Sequence, residues 1–243
     1  CDLKKSRLEV LKFKYPAAKL TTDFTDIVKD KEVDAVAVAT PLLTHYTIAK
    51  KFLLAGKHVL LEKPFTHSAK SAEELLRISK NRKRVLMVGY TYLYSPAVRK
   101  IKNIISSGGI GNVHYIHSTR VHFGHLRPAE GVMWDLASHD IAILIYWFGL
   151  SMYNISCIGK DCLKRGYLDT AYLTINFKHE PAAYIFTSLL APIKMRNMII
   201  TGSKKMIFYN DTRNVEKIKI YDQCAIMKGS ENIARQGISY RDG

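Results

Sequence analysis

The stretch "VDAVAVATPLLTHYTIAKKFLLAGKHVLLEKP", Val33–Pro64, decides the fold. Val33–Thr40 is a nearly continuous run of valine and alanine, the pattern of a strand buried on both faces of a parallel sheet. Thr44–Ala55 has the spacing of an amphipathic helix, and Gly56 supplies its C-cap. His58–Leu61 reads as a second buried strand, stopping at Glu62, Lys63 and Pro64. Strand, helix and strand with short connections predict a parallel, doubly wound sheet.

The neighbours extend the pattern. Leu3–Phe13 and Phe24–Lys29 have helical spacing, the second introduced by Thr22 and Asp23. Ser68–Asn81 predicts a helix and Arg84–Gly89 a third strand. A helix follows over Ser95–Ser107, with Pro96 in its first turn and Gly108-Gly109 behind it. "SSGGIGNV", Ser106–Val113, lies after a helix and before a strand, the wrong order for a phosphate cradle, and reads as a cap and linker. Beyond it the texture changes. Val113–Phe123 alternates like a half-exposed strand, Trp134–Phe148 is helical, and five strands follow: Ala171–Phe177, Ala183–Leu190, Met198–Gly202, Lys205–Tyr209 and Lys217–Tyr221. The fold class is therefore α/β, a parallel sheet followed by an α+β domain with a mostly antiparallel sheet. The boundary falls near Gly109–Asn112, giving domains over 1–110 and 111–243.

A hydrophobic content of 47% over 243 residues supports a sizeable core and argues against disorder. No apolar run reaches the roughly 20 residues of a membrane helix. Cys1, Cys157, Cys162 and Cys224 form no C-x-x-C pair, which reads as reduced thiols in a cytoplasmic protein. The chain opens at Cys1, read as lying within an element, so a fragment is expected. A formal charge of +16 attracts anions: nucleic acid, anionic lipid or a phosphorylated small molecule. The basic residues are scattered apart from Lys80–Arg84, and no nucleic-acid motif accompanies them, so charge alone selects no partner.

Two segments could carry chemistry. Glu62 and Lys63 stand at the carboxyl end of a parallel strand, where ligands bind in open α/β sheets, and Pro64 fixes the local backbone. The same triplet also suits an ordinary strand-end turn with a solvated ion pair. In "VMWDLASHDIAIL", Val132–Leu144, Asp135 and His139 are spaced to share a helix face. They form an acid/base pair, or else a cap and a core histidine. Asp140 is read as bonding locally. His114, His117, His122 and His125 follow no ligand spacing, and no third ligand joins Asp135 and His139, so no metal is expected.

Together, "VDAVAVATPLLTHYTIAKKFLLAGKHVLLEKP", "MVGYTYLYSPAV", "GVMWDLASHDIAIL" and "MIITGSKKMIFYND" resemble the glucose–fructose oxidoreductase/inositol dehydrogenase (Gfo/Idh/MocA) family. The resemblance runs over nearly the whole chain. It implies a Rossmann domain binding NAD or NADP, and a C-terminal domain whose open sheet serves homo-oligomerisation. It implies hydride transfer between nicotinamide and a sugar, cyclitol or sugar-nucleotide carbon. Lys63 matches the catalytic lysine, and Asp135 and His139 match the family's D-x-x-x-H pair. Thr40, Pro41, His45 and Glu62 match cofactor-neighbouring positions. Asp2 matches the acid that bonds the adenosine ribose and favours NAD. His139 would take the alcohol proton, oriented by Asp135, while Lys63 stabilises the developing alkoxide. Arg120, Tyr92, Tyr94 and Trp134 are candidate substrate-wall residues, and the charge favours a phosphorylated or nucleotide-linked substrate.

The chain departs from the family's pattern in several places. The glycine-rich loop and first strand of the Rossmann fold are not in these 243 residues, so weak dinucleotide binding by this stretch alone is expected. Ser138, Tyr90 and His122 stand where relatives often carry proline, histidine and asparagine, which touches the substrate wall. A binding or regulatory protein on the same fold is the alternative. No nucleic acid or membrane partner is expected.

Overall fold

The computed structural model describes residues 1–124, 131–149, 152–178 and 181–223. His125 and Cys224 lie outside them. The chain divides into two compact units. The first comprises Cys1–Thr91 with Arg127–Ser138, and the second Tyr92–Leu126 with His139–Gly243.

The first unit opens with helices α1 (Lys5–Lys14) and α2 (Phe24–Lys29). Asp23 caps α2 by accepting from the Thr25 amide at 2.8 Å. Strand β1 (Ala35–Val38), helix α3 (Leu42–Leu54), strand β2 (His58–Leu61), helix α4 (Ala69–Arg82) and strand β3 (Leu86–Val88) complete it. The three strands lie side by side in chain order, both pairs parallel. Val38, Val59 and Leu61 form one core with Ala49, Phe52 and Leu53 of α3 and Leu75 and Ile78 of α4. The expectation of strands buried on both faces is corrected: Ala37, Leu60 and Met87 are exposed. Helices α3 and α4 cover one face only, and alternate residues on a strand point to opposite faces.

The second unit begins with a 3₁₀ turn over Thr91–Tyr94 and helix α5 (Pro96–Ser106), followed by strand β4 (Val113–Phe123). Helix α6 (Ser138–Phe148) then leads to β5 (Met152–Lys160), β6 (Thr170–Phe177), β7 (Ala182–Ser188), β8 (Leu190–Gly202), β9 (Met206–Asn210) and β10 (Ile218–Tyr221). The sheet order is β10-β9-β8-β4-β7-β6-β5. All pairings are antiparallel except β4 with β7, whose parallel register runs from Tyr115 opposite Ala182 to Val121 opposite Ser188. Ile116, Leu173, Ile175, Ala183, Ile185, Ile200 and Ile207 are buried from the sheet, and Ile143, Leu144 and Trp147 from α6. The Trp147 indole N–H donates to the Val98 carbonyl at 3.1 Å, tying α6 to α5.

Two strand expectations change. β8 begins at Leu190 rather than Met198, and β5 is a full strand that the sequence pattern does not mark. β5 is an edge strand exposed along nearly its whole length, so its sequence carries no alternation. The helix expected over Trp134–Phe148 starts as a π-helical turn, Met133–Ala137, before becoming α6.

Candidate functional site

In the first unit, the carboxyl ends of β1 and β2 carry the expected rim. Thr40, Pro41 and Glu62 are exposed there. The Thr44 hydroxyl lies 2.7 Å from both the Thr40 hydroxyl and the Pro41 carbonyl oxygen, closing the turn into α3. His45 is only 1% exposed and is no part of the rim surface. Its Nδ1 faces the Pro64 carbonyl at 2.9 Å and its Nε2 the Thr40 carbonyl at 2.7 Å. The ring thus sits between the turn after β1 and the turn after β2. The Lys63–Pro64 peptide is cis.

Glu62 accepts from the Lys63 amide at 3.2 Å. A side chain at Gly89 would come within 3.3 Å of the Glu62 carboxylate, so glycine gives that carboxylate room. Lys63 turns away from Glu62. Its Nζ donates to Asp135 Oδ1 at 2.6 Å and to the Asp135 carbonyl at 3.0 Å. The two side chains are 15% and 19% exposed, so the pair is largely screened from water. The strand-end turn with a solvated ion pair does not describe Lys63, whose partner lies 72 residues along the chain. Trp134, in the same π-helical turn, is partly exposed, and its carbonyl accepts from the Ser138 hydroxyl at 2.7 Å. Asp2 accepts from the Lys4 amide at 2.8 Å and from Arg7 at 3.1 Å. The Lys4 amide first, and then Arg7, hold its carboxyl below the ordinary range.

In the second unit, Arg120 does not stand on an open wall. The Arg120 and Asp140 side chains are 4% and 1% exposed. Arg120 Nε lies 3.0 Å from both Asp140 oxygens, and Nη2 donates to Oδ1 at 2.7 Å. Burial opposes the guanidinium charge, but Asp140 more than offsets this, and the pKa of Arg120 rises above its ordinary value. The reading of Asp140 as a local bond is therefore corrected. Tyr92 packs its ring over the Arg120 guanidinium at 4.5 Å and meets the His139 ring edge-on at 5.0 Å. Tyr94 is exposed, with Arg99 5.3 Å from its ring centre. Arg196 and Asp211, absent from the sequence-based candidates, join this cluster: Arg196 donates to the Tyr92 hydroxyl at 2.8 Å. Both lie in or beside "MIITGSKKMIFYND", but their spacing marked no chemistry. Cys1, Cys157 and Cys162 are exposed. Among the described residues no cluster of three or more His, Cys, Asp or Glu is suited to a metal, and no helix is long and apolar enough to cross a membrane.

Two family models cover most of the chain. Residues 1–90 match the oxidoreductase family with an NAD-binding Rossmann fold, and residues 98–208 match the GFO/IDH/MocA C-terminal domain. The chain belongs to the GFO/IDH/MocA oxidoreductase family. Within that family it is 25% identical over 233 residues to a myo-inositol 2-dehydrogenase of Thermotoga maritima, covering 91% of this chain and 70% of that protein. It is 29% identical over 147 residues to a UDP-N-acetylglucosamine 3-dehydrogenase of Acidithiobacillus ferrooxidans, covering 60% and 46% respectively. An inositol dehydrogenase homologue from Azotobacter vinelandii, solved with NADH and myo-inositol, shares the fold with a TM-score of 0.79 at 20% identity. That match covers 91% of this chain and 66% of the other. The chain spans 58% of the length of two further oxidoreductases it matches, from Bacillus subtilis and Escherichia coli.

Proposed function

We propose that this protein transfers hydride between a nicotinamide cofactor and a secondary alcohol carbon of a sugar, cyclitol or sugar nucleotide. Lys63, His139 and Asp135 are its catalytic residues in this reading. The observation that carries it is the Lys63 ammonium, pinned at the carboxyl end of β2 by Asp135 at 2.6 Å. A strand-end cation held in one direction suits an oxygen on which negative charge develops. His139 takes the hydroxyl proton in oxidation and returns it in reduction. Asp135 holds the lysine and orients the histidine.

The rim suits a dinucleotide. Thr40, Pro41 and Glu62 are exposed at the carboxyl ends of two parallel strands. His45 lies buried behind the rim, its ring set between the Thr40 and Pro64 carbonyls. Asp2, kept charged by the Lys4 amide and Arg7, would accept from ribose hydroxyls and repel a 2′-phosphate, which favours NAD over NADP. Bound at that rim, the nicotinamide supplies the hydride acceptor. The named activities of the two dehydrogenase relatives support a cyclitol or sugar-nucleotide substrate. The charge of +16 favours an anionic one. Tyr94 and Trp134, both exposed aromatics, remain the better candidates for the substrate wall. The test is a panel of cyclitols, sugars and sugar nucleotides incubated with the full-length protein and NAD or NADP, following nicotinamide absorbance. Silence across the whole panel in both directions would sink the proposal.

The second unit also supports a homo-oligomer built on its sheet. Tyr115, Tyr172, Tyr184, Ile158 and Ile199 are all exposed. The registers place Ile158 beside Tyr172, and Tyr184 and Ile199 on either side of His117. A contiguous apolar and aromatic sheet face of this kind suits burial against a second copy.

A further inference from the structure

We propose that Arg120 is a positioning residue for His139, acting through Asp140 and Tyr92, and that it contacts no substrate. The claim rests on His139 being the acid/base group proposed above. It concerns residues of the second unit alone.

The grip has two arms. Asp140 follows His139 on the first turn of α6, and both of its carboxylate oxygens meet the Arg120 guanidinium. A planar fork against a carboxylate is directional, so it fixes the rotation of that turn about the helix axis as well as its distance from β4. Tyr92 is the second arm. Its ring lies over the guanidinium, and its edge-on contact reaches the His139 ring. The hydroxyl at its far end accepts from Arg196 on β8. Arg196 lies 3.8 Å from Asp211, which also accepts from Lys217 and from the buried Tyr209 hydroxyl, each at 3.1 Å. His139 thus rides on a turn clamped at the next residue and meets a ring clamped at its face and tip. A buried apolar pair of similar volume would serve stability as well or better. What the ion pair adds is direction, and a misplacement of about 1 Å at a reacting group costs on the order of 100-fold in rate.

The test separates direction from stability. Arg120→Met with Asp140→Leu replaces the clamp by apolar packing, so neither charge is left buried alone. Thermal unfolding of that variant checks that it folds, and Arg120→Lys, which keeps charge but loses the fork, is the second variant. Two readouts follow. With histidine selectively ¹³C-labelled, the His139 imidazole resonances are assigned by their loss in His139→Gln. They are expected to move in both Arg120 variants and in Tyr92→Leu, and to move least in Tyr92→Phe, which keeps the ring. In turnover, kcat should fall by about 10- to 100-fold while KM for the alcohol changes less than about threefold. Unmoved imidazole resonances in the folded variants overturn the proposal. So does normal kcat, or a loss confined to KM, which would return Arg120 to substrate binding. If the parent protein turns over no alcohol, the dehydrogenase reading fails, and the positioning claim is decided by the resonances alone.

Discussion

Replacing Lys63 by alanine removes the ammonium that lies 2.6 Å from Asp135 Oδ1 and 3.0 Å from the Asp135 carbonyl. A hydrogen bond between charged groups contributes about 1.5–3 kcal/mol, and the residual exposure of this pair favours the lower half of that range. A loss of about 2 kcal/mol in a chain of this size lowers Tm by about 4–8 °C. The kinetic loss should be larger than that stability loss implies. Losing a preorganised donor to a developing oxyanion costs about 10²–10³ in kcat. Losing a general base, as in His139→Ala, costs about 10²–10⁴. Asp135→Asn keeps an acceptor but not the charge, so its turnover should fall between Lys63→Ala and the parent. The assay is the initial rate of nicotinamide reduction by the full-length protein, run well below each variant's Tm, with the substrate found by the panel. Retention of more than about a tenth of parental kcat by both Lys63→Ala and His139→Ala would refute the assignment. A Tm fall without a rate fall would leave Lys63 as a structural strut between β2 and the π-helical turn.

Three other outcomes are expected. Burial pushes the Asp211 carboxyl up, but the Lys217 ammonium and the Tyr209 and Tyr92 hydroxyls win, so its folded pKa lies below 3.8. Its contribution is then present above that value and lost as pH falls through the folded pKa. Asp211→Asn should lower Tm near neutral pH by the equivalent of about 1 kcal/mol, and the gap should close in acid; a pH-independent gap would contradict this. Gly202→Ala would place a Cβ 2.2 Å from the Ile110 carbonyl oxygen, a backbone atom that cannot swing aside. It should cost about 1–3 kcal/mol in chemical denaturation, and a neutral result would argue against that close approach. Tyr172→Lys with Ile158→Asp, on the exposed sheet face, should shift the light-scattering mass toward the monomer with little change in Tm. An unchanged mass would place any oligomer contact elsewhere.

What the sequence disclosed follows from which interactions leave a local pattern. β2 and β4 match their expected limits because a short apolar run and a long alternation are each written within the element itself. β1 was legible as a strand but not in its exposure, because valine and alanine tolerate either side of a sheet covered on one face. β8 was read only from Met198 onward, since Pro192, Lys194 and Arg196 interrupt the apolar pattern. The strand continues past them because β4 supplies its partner along the register. The π-helical turn was invisible for a related reason: one changed hydrogen-bond step leaves apolar spacing almost untouched, and such turns gather at functional sites.

The candidate site divides along the same line. Lys63, Asp135 and His139 were singled out from local chemistry and family resemblance, but a lysine's partner 72 residues away is fixed only by the tertiary fold. Arg120 shows the converse limit. An arginine on a strand beside aromatic residues suggests a substrate contact, and nothing local reveals that Asp140 occupies its fork. The burial of that pair has a consequence for the chemistry. A guanidinium held by a carboxylate on one edge and an aromatic ring on one face has little left for an anionic substrate. If Arg120 acts on His139 as proposed, selectivity for phosphate would be sought among cations that remain exposed, not at this buried arginine.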